Sequence, residues 1–393
     1  MKICQVTSVH DWKDDRIFER ACIGLAEKGY DTHLIAAKDL GFYTLSEEEK
    51  KEVNSPSATA TVSGVKIHWL KQRSGVKKWY YSSKEAYQKV LDLKPDIVHF
   101  HDPQLLPWMV KLKKKAPGIV VIYDIHENYV QFFIRRNLPQ WLQNWFRKYE
   151  QRCVSKFDGF TAITHSLADI FRPYNKNNII IPNVPFLSRL LSLNINQPKD
   201  KNPVFFTSGI QSDERNCRQL VMAMPDVISE YPNAILRMAG RFSPETFESE
   251  LLELARKVGV EKNVELQQQI PWLDNFNRAV KSYAGLVTYK ITENNKIGTP
   301  NRMFETMVCG LPVIATDLPE LRKIVTENKC GLVVDSDNPK EIAKAINYLI
   351  SHPEEAAAMG KRGREAVIEK YNYERVLDHT LEFYKQLLTR NSS

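Results

Sequence analysis

A chain of 393 residues is too long for one ordinary hydrophobic core, and 43% hydrophobic with 26% charged residues excludes wholesale disorder. No apolar run reaches the roughly 18 to 20 residues that span a bilayer as a helix. The net charge of +8 favours polyanionic or phosphorylated partners, but no nucleic-acid-binding signature or zinc spacing accompanies it.

The opening MKICQVTSV runs straight into a strand pattern without a signal-peptide core, which predicts a cytoplasmic chain. Strands are predicted at 2–7, 32–37, 65–69, 96–100 and 120–123, with helices at 16–28, stopped by Gly29, and at 84–93. The stretch 38–64 reads as a long polar loop. A helical region and short strands at 159–163 and 178–181 follow. Asn, Gln, Pro, Lys and Asp without a burial pattern make 188–201 a linker. The alternation then restarts, with strands at 204–207, 234–238, 264–267, 285–289, 313–316 and 331–334, and closes with helices at 339–351, 353–369 and 373–389. This is the pattern of an α/β protein with two doubly wound, Rossmann-like domains, 1–187 and 202–372, binding ligands beyond the strand C-terminal ends. Cys4, Cys22, Cys153, Cys217, Cys309 and Cys330 form no C-x-x-C pair and read as reduced, buried thiols.

One stretch, TPNRMFETMVCGLPVIAT at 299–316, carries both ends of a helix and the strand after it. Thr299 is the expected N-cap and Pro300 the first helical residue, and Met303, Phe304, Met307 and Val308 form an apolar face. Gly310 suits the left-handed stop, and 313–316 a strand buried on both sides. Arg302 and Glu305 share a face near the helix start, where partial positive charge and free N–H groups favour an anion. They are equally readable as an exposed helical ion pair.

The stretch resembles the nucleotide-binding segment of family 4 retaining glycosyltransferases of the GT-B fold, whose subgroup pattern is S/T-P-N-K/R-x-x-E-x-M-x-x-G-x-P-V-I. Many members carry a Glu, seven residues and a second Glu; here the second is Glu305 and Ile297 stands at the first. The resemblance implies two domains facing across a cleft, with the final helix, 373–393, crossing back to the first. It implies that Gly209, Arg215, Ile270, Gly298, Thr299, Pro300, Asn301, Arg302 and Glu305 bind the donor. Arg215 would hold the diphosphate, Glu305 the ribose, and backbone near Ile270 the base. His126, in YDIHEN, corresponds to the family histidine that touches the donor sugar, with Arg215 as its catalytic partner. Glu127 would orient that imidazole or meet the acceptor.

HDWKDDR at 10–16 stands where many relatives have a glycine-rich loop, and it fits a subgroup pattern H-x-x-x-D-x-R-I/V-F. Asp15 and Arg16 are acceptor-side candidates, or with Asp14 simply a helix cap and its first-turn charges. His99 and His101 share a strand side, but two histidines without a third ligand predict no metal. Trp141, Trp145, Phe146, Arg147 and Lys148 form a basic aromatic stretch that would sit on an anionic membrane or pack against the last helix.

The resemblance therefore implies transfer of a sugar, with retention, from a nucleotide-diphosphate donor to an acceptor hydroxyl. A uridine donor is favoured over guanosine, the acceptor is a glycan or lipid-linked glycan, and no separate cofactor is required. The setting it implies is bacterial surface polysaccharide or glycolipid assembly at the inner membrane face. A sugar-nucleotide epimerase on the same scaffold, and a catalytically silent partner subunit, are the alternatives.

Overall fold

The computed structural model describes residues 1–392 except 39–44, 55, 56, 72, 74, 76, 77, 189, 191, 192 and 269–271. Two compact units form: Met1–Asn183 together with the last helix, Tyr373–Ser392, and Val184–Asn372. The first holds eight strands: β1 (Lys2–Asp11), β2 (Asp31–Ala37), β3 (Thr59–Val62), β4 (Val65–Leu70), β5 (Ile97–Phe100), β6 (Val120–Ile125), β7 (Gly159–Ala162) and β8 (Asn178–Ile180). Their order is β3-β4-β2-β1-β5-β6-β7-β8, with β3 antiparallel to β4 and every other pairing parallel. The second unit holds β9 (Val204–Ser208), β10 (Ile235–Ala239), β11 (Val264–Gln267), β12 (Ala284–Val287), β13 (Val313–Thr316) and β14 (Gly331–Val334), all parallel, in the order β11-β10-β9-β12-β13-β14.

Parallel strands covered on both faces should be continuously apolar, and β5, β6, β7, β12 and β13 are buried at every residue. In each sheet the chain reverses its direction of travel across the sheet next to its first strand. The reversal falls between β1 and β5 in one unit and between β9 and β12 in the other. Loops diverge at such points and leave a crevice at the strand C-terminal ends.

Four expectations change. The 38–64 loop contains a helix, Glu47–Asn54, and the strand β3, which turns into β4 through Ser63 and Gly64 at φ 49° and 76°. Two successive positive φ values match the right-handed twist of a tight hairpin. The helix expected at 16–28 starts as a π-helix, Asp15–Cys22, before Ile23–Glu27. In the 188–201 segment, Leu190 and Leu193 are buried and Asp200 pairs with Arg237 at 2.7 Å, so it packs with the second unit. The helix Asn301–Val308 takes Pro300 as its N-cap rather than Thr299, which is buried just before it. All six cysteines are buried and unbonded to one another.

The helix Gln140–Val154 buries Glu150 beneath the sheet, where its carboxyl accepts from the Tyr123 hydroxyl at 2.9 Å. Burial raises its pKa to about 8, against the hydrogen bond from Tyr123, so the folded chain keeps a proton that the unfolded chain loses near pH 4.5. Stability therefore falls as pH rises from about 4.5 to about 8. Glu150→Gln keeps an acceptor for Tyr123 and removes the ionisation. Its melting temperature relative to the native chain should rise progressively across that interval, as read by calorimetry at a series of pH values.

Candidate functional site

In the second unit the turn after β9 brings Gly209 between two guanidinium groups. Gly209 takes φ 89°, and a Cβ there would lie 3.3 Å from Arg215 Nη1 and 3.7 Å from Arg302 Nη2. Arg302, second residue of its helix, points inward, donating to Thr207 Oγ1 at 2.9 Å and to the Ile210 carbonyl at 3.1 Å. It is 4% exposed, which excludes the exposed Arg302–Glu305 pair. Both guanidiniums lie over the Tyr289 ring, Arg215 at 5.5 Å and Arg302 at 5.3 Å from its centre.

Among the described residues neither guanidinium meets a carboxylate. Burial, and then the neighbouring Arg302 charge, push Arg215 down to about 10. Two cations this close and largely out of water present paired donors of the kind that hold an anion.

The surrounding turns are held so that the pair stays together. The Thr288 hydroxyl donates to the Arg215 carbonyl at 2.9 Å. Asn216, at φ 53°, donates to Ser336 Oγ at 2.8 Å and Asp337 Oδ1 at 2.9 Å. Thr316 Oγ1 accepts from the Tyr289 amide at 2.7 Å, and Ser336 Oγ donates to the Tyr289 carbonyl at 2.9 Å. Nearby cations are neutralised instead: Lys290 by Asp213, Arg218 by Glu250, and Lys296 by Glu293.

Gly298, Thr299, Pro300 and Asn301 form the approach to the Arg302 helix, and Glu305 lies one turn along it, partly buried. Ile270 lies outside the described residues.

In the first unit, polar side chains converge at the ends of β1, β5, β6 and β7. Asp124 Oδ2 lies 2.9 Å from His101 Nδ1 and 3.2 Å from His126 Nδ1, and its Oδ1 accepts from Thr161 at 2.6 Å. His101 Nε2 meets Gln5 Oε1 at 2.8 Å, while His99 bridges Tyr384 Oη, on the last helix, at 2.7 Å and Thr161 Oγ1 at 3.1 Å. The His101 and His126 rings stack at 5.3 Å. Burial opposes the Asp124 charge, yet the His126 and His101 imidazoles outweigh it and hold the carboxyl well below its usual range. Burial, and then the Arg16 charge, push His126 below the usual imidazole range.

His101, Asp124 and His126 are, among the described residues, the group able to hold a metal ion, with ligand atoms within 4.8 Å of one another. The carboxylate beside the His126 ring is that of Asp124, and Glu127 is exposed. Asp14 caps the π-helix, accepting from Arg16 N and Ile17 N at 3.0 Å each, and Asp15 pairs with Arg20. Arg16 lines a cavity of about 10 Å³ with His99, His101, Asp124 and Tyr384, room for one water.

Residue-by-residue reading of the sequence missed Tyr289, Asp102 and His10. Asp102 is fully buried and lies 2.7 Å from His10 Nδ1. Their signals were present: a strand-end histidine in SVHD, and an acidic residue straight after HFH.

Trp141 and Trp145 are 70% and 55% exposed and, at i, i+4 and i+7 spacing, share an outward face with Lys148, so they do not pack on the last helix. Trp79, Tyr80, Tyr81, Phe132 and Ile134 are also exposed, with Trp79 against Phe132 at 6.2 Å and Arg136 over the Phe132 ring at 3.9 Å. No described helix is long and apolar enough to cross a membrane.

A family profile described as glycosyl transferases group 1 matches residues 191–366, and one described as glycosyltransferase family 4 matches 16–184. The chain is 33% identical over 89 residues to alpha-maltose-1-phosphate synthase of Mycolicibacterium smegmatis, covering 21% of this chain and 23% of the relative. It is 28% identical over 177 residues to a GDP-mannose-dependent monoacylated alpha-(1-6)-phosphatidylinositol monomannoside mannosyltransferase of Corynebacterium glutamicum, covering 44% and 45%. The chain thus spans less than half the length of either relative. Among solved structures, Anabaena Alr3699/HepE in complex with UDP-glucose superposes with a TM-score of 0.72 at 14% identity, over 98% of this chain and 100% of that one. That likeness establishes the GT-B fold.

Gly240, at the end of β10, takes φ 136°, and a Cβ there would lie 1.9 Å from the Gly209 carbonyl oxygen. Gly240→Ala must displace the very turn that the guanidiniums flank. It should cost about 2 kcal/mol or more, read as a lowered denaturation midpoint.

Proposed function

We propose, because the chain belongs to the family 4, group 1 glycosyltransferases, that it moves a sugar from a nucleotide-diphosphate donor to an acceptor hydroxyl with retention at the anomeric carbon. The observation that carries this reading is the pair Arg215 and Arg302 around Gly209, uncompensated by any described carboxylate. As the glycosidic bond breaks, charge collects on the departing diphosphate, and fixed cations aimed there stabilise the transition state more than the ground state. Glu305 anchors the ribose, and the 298–301 backbone approaches the phosphates. A uridine donor is favoured over guanosine, and no cofactor beyond the donor is needed, since the two arginines supply the neutralising charge.

The acceptor is a glycan or lipid-linked glycan. We assign the outward face of Trp141, Trp145 and Lys148 to peripheral contact with anionic lipid at the inner face of a bacterial membrane, in surface polysaccharide or glycolipid assembly. Aromatic rings at headgroup depth combined with basic side chains are the chemistry of such contact.

A thermal-shift series with UDP, GDP, ADP and their sugars tests the donor, with stabilisation by a nucleoside diphosphate as the expected result. Arg215→Ala and Glu305→Ala should each weaken nucleotide binding or turnover more than tenfold, and near-native values in both would reject the site. Proton NMR of the product's anomeric centre decides retention. Incubation with donor alone, watched for an isomerised sugar, separates transfer from epimerisation.

For the membrane face, Trp141→Ala combined with Trp145→Ala should reduce co-sedimentation with phosphatidylglycerol vesicles at least tenfold. Phosphatidylcholine vesicles should retain neither the native chain nor the variant.

A further inference from the structure

Three segments carrying aromatic side chains leave the first sheet at the same end. β4, β5 and β6 run parallel to one another through the order β4-β2-β1-β5-β6. The turn Lys78–Ser82 follows β4, the helix Leu106–Lys115 follows β5, and the helix Val130–Arg135 follows β6. All three therefore stand beyond strand C-terminal ends, on the side where the β1/β5 reversal opens a crevice. Ser83 Oγ donates to Ser8 Oγ at 3.2 Å and ties the first of them to β1.

The rings of these segments meet. Trp79 lies against Phe132 at 6.2 Å between ring centres, and Tyr80 lies against Trp108 at 5.6 Å and Tyr81 at 5.2 Å. Segments far apart along the chain thus build one surface within the first unit. Even so, Trp79, Tyr80, Tyr81, Phe132 and Ile134 are each at least 38% exposed. Single apolar side chains in water are ordinary, but a gathered set at the ligand end of a sheet marks a binding surface.

The composition of the surface selects its occupant. Phe132 and Ile134 carry no polar side-chain atom, and Ile134 offers no flat ring for a sugar to stack on. Hydrocarbon is what such side chains remove from water with most gain. Arg136 is exposed, stands over the Phe132 ring at 3.9 Å, and pairs with no carboxylate among the described residues. Its aliphatic stem extends the apolar cover while its guanidinium stays available to an anion. A hydrocarbon chain ending in a phosphate matches both parts.

Resting on the transfer reading above, we propose that this face binds the apolar chain of a lipid-linked acceptor, with Arg136 on the phosphate that joins chain to glycan. The acceptor is then a glycan carried on a long isoprenoid or acyl chain, and a free saccharide lacks half of what the surface recognises. The chain lies along Trp79, Phe132 and Ile134, and the glycan end points to the crevice beside β1 and β5. This face is separate in role from Trp141 and Trp145, which meet the bilayer itself.

Calorimetric titration of the full chain tests this with farnesyl phosphate below its micelle concentration, against farnesol, inorganic phosphate and maltotriose. Native chain, Trp79→Ala, Phe132→Ala combined with Ile134→Ser, and Arg136→Gln are compared. The altered side chains are exposed, and melting temperatures check that each variant is folded. The expected result is saturable one-to-one binding of farnesyl phosphate, weakened about tenfold or more in Trp79→Ala and in the Phe132/Ile134 double variant. Arg136→Gln should weaken farnesyl phosphate more than farnesol, and inorganic phosphate and maltotriose should give no saturable heat. Co-sedimentation of the double variant with phosphatidylglycerol vesicles should stay within about twofold of native.

Farnesyl phosphate that fails to bind, or binds equally well to every variant, would overturn the assignment. Maltotriose binding that the same substitutions abolish would make the face a sugar platform instead. Vesicle binding lost in the double variant would make it bilayer contact. A native chain stabilised by a nucleotide sugar but indifferent to farnesyl phosphate sinks this inference alone; a chain that binds neither loses the transfer reading as well.

Discussion

Positive charge kept apart from carboxylates is the constraint on which the second unit turns. Arg215 and Arg302 repel each other across Gly209, and partial burial raises the cost of both charges. The surrounding hydrogen bonds from Thr288, Asn216, Thr316 and Ser336 hold that arrangement in place without neutralising it. Neighbouring cations at Lys290 and Arg218 are each given an acidic partner, so the exception at Gly209 is local. Two guanidiniums held side by side in this way are the feature on which the proposed diphosphate site rests.

The two units share one topological feature and line it with different side chains. Each parallel sheet reverses its direction of travel beside its first strand, and each gathers its polar side chains there. In the second unit the reversal between β9 and β12 collects guanidiniums over an aromatic ring. In the first, the reversal between β1 and β5 collects imidazoles and carboxylates. The last helix belongs to this second arrangement through Tyr384, whose hydroxyl reaches both His99 and Gln5. An element at the end of the chain thus braces side chains beside the first strand.

Much of this was readable from local pattern. The strands at Val264–Gln267, Val313–Thr316 and Gly331–Val334 and the helices Pro339–Ser351 and Pro353–Glu369 have the bounds that apolar period and flanking proline or glycine assign. The misses have physical causes. β3 is four residues of alternating burial, too short to stand out from a polar stretch, although Ser-Gly announces its turn. Leu190 and Leu193 bury without helical or strand period, so the segment reads as linker while behaving as core. Thr299 has the better capping side chain, but Pro300 has extended backbone at φ −77° and takes the cap position.

By itself the sequence determined the α/β class, two parallel sheets, the helix that presents Arg302 and the reduced state expected of six scattered cysteines. Those properties follow from spacing within a dozen residues, where backbone propensity and apolar period act. Only the tertiary structure decided that Arg302 turns inward to Thr207, that Arg215 joins it over Tyr289, and that His10 rather than His126 is the imidazole open to solvent. Each of those pairings joins residues that neighbour one another across a sheet and lie far apart along the chain, and a pattern read along the chain carries no record of which strands will be adjacent.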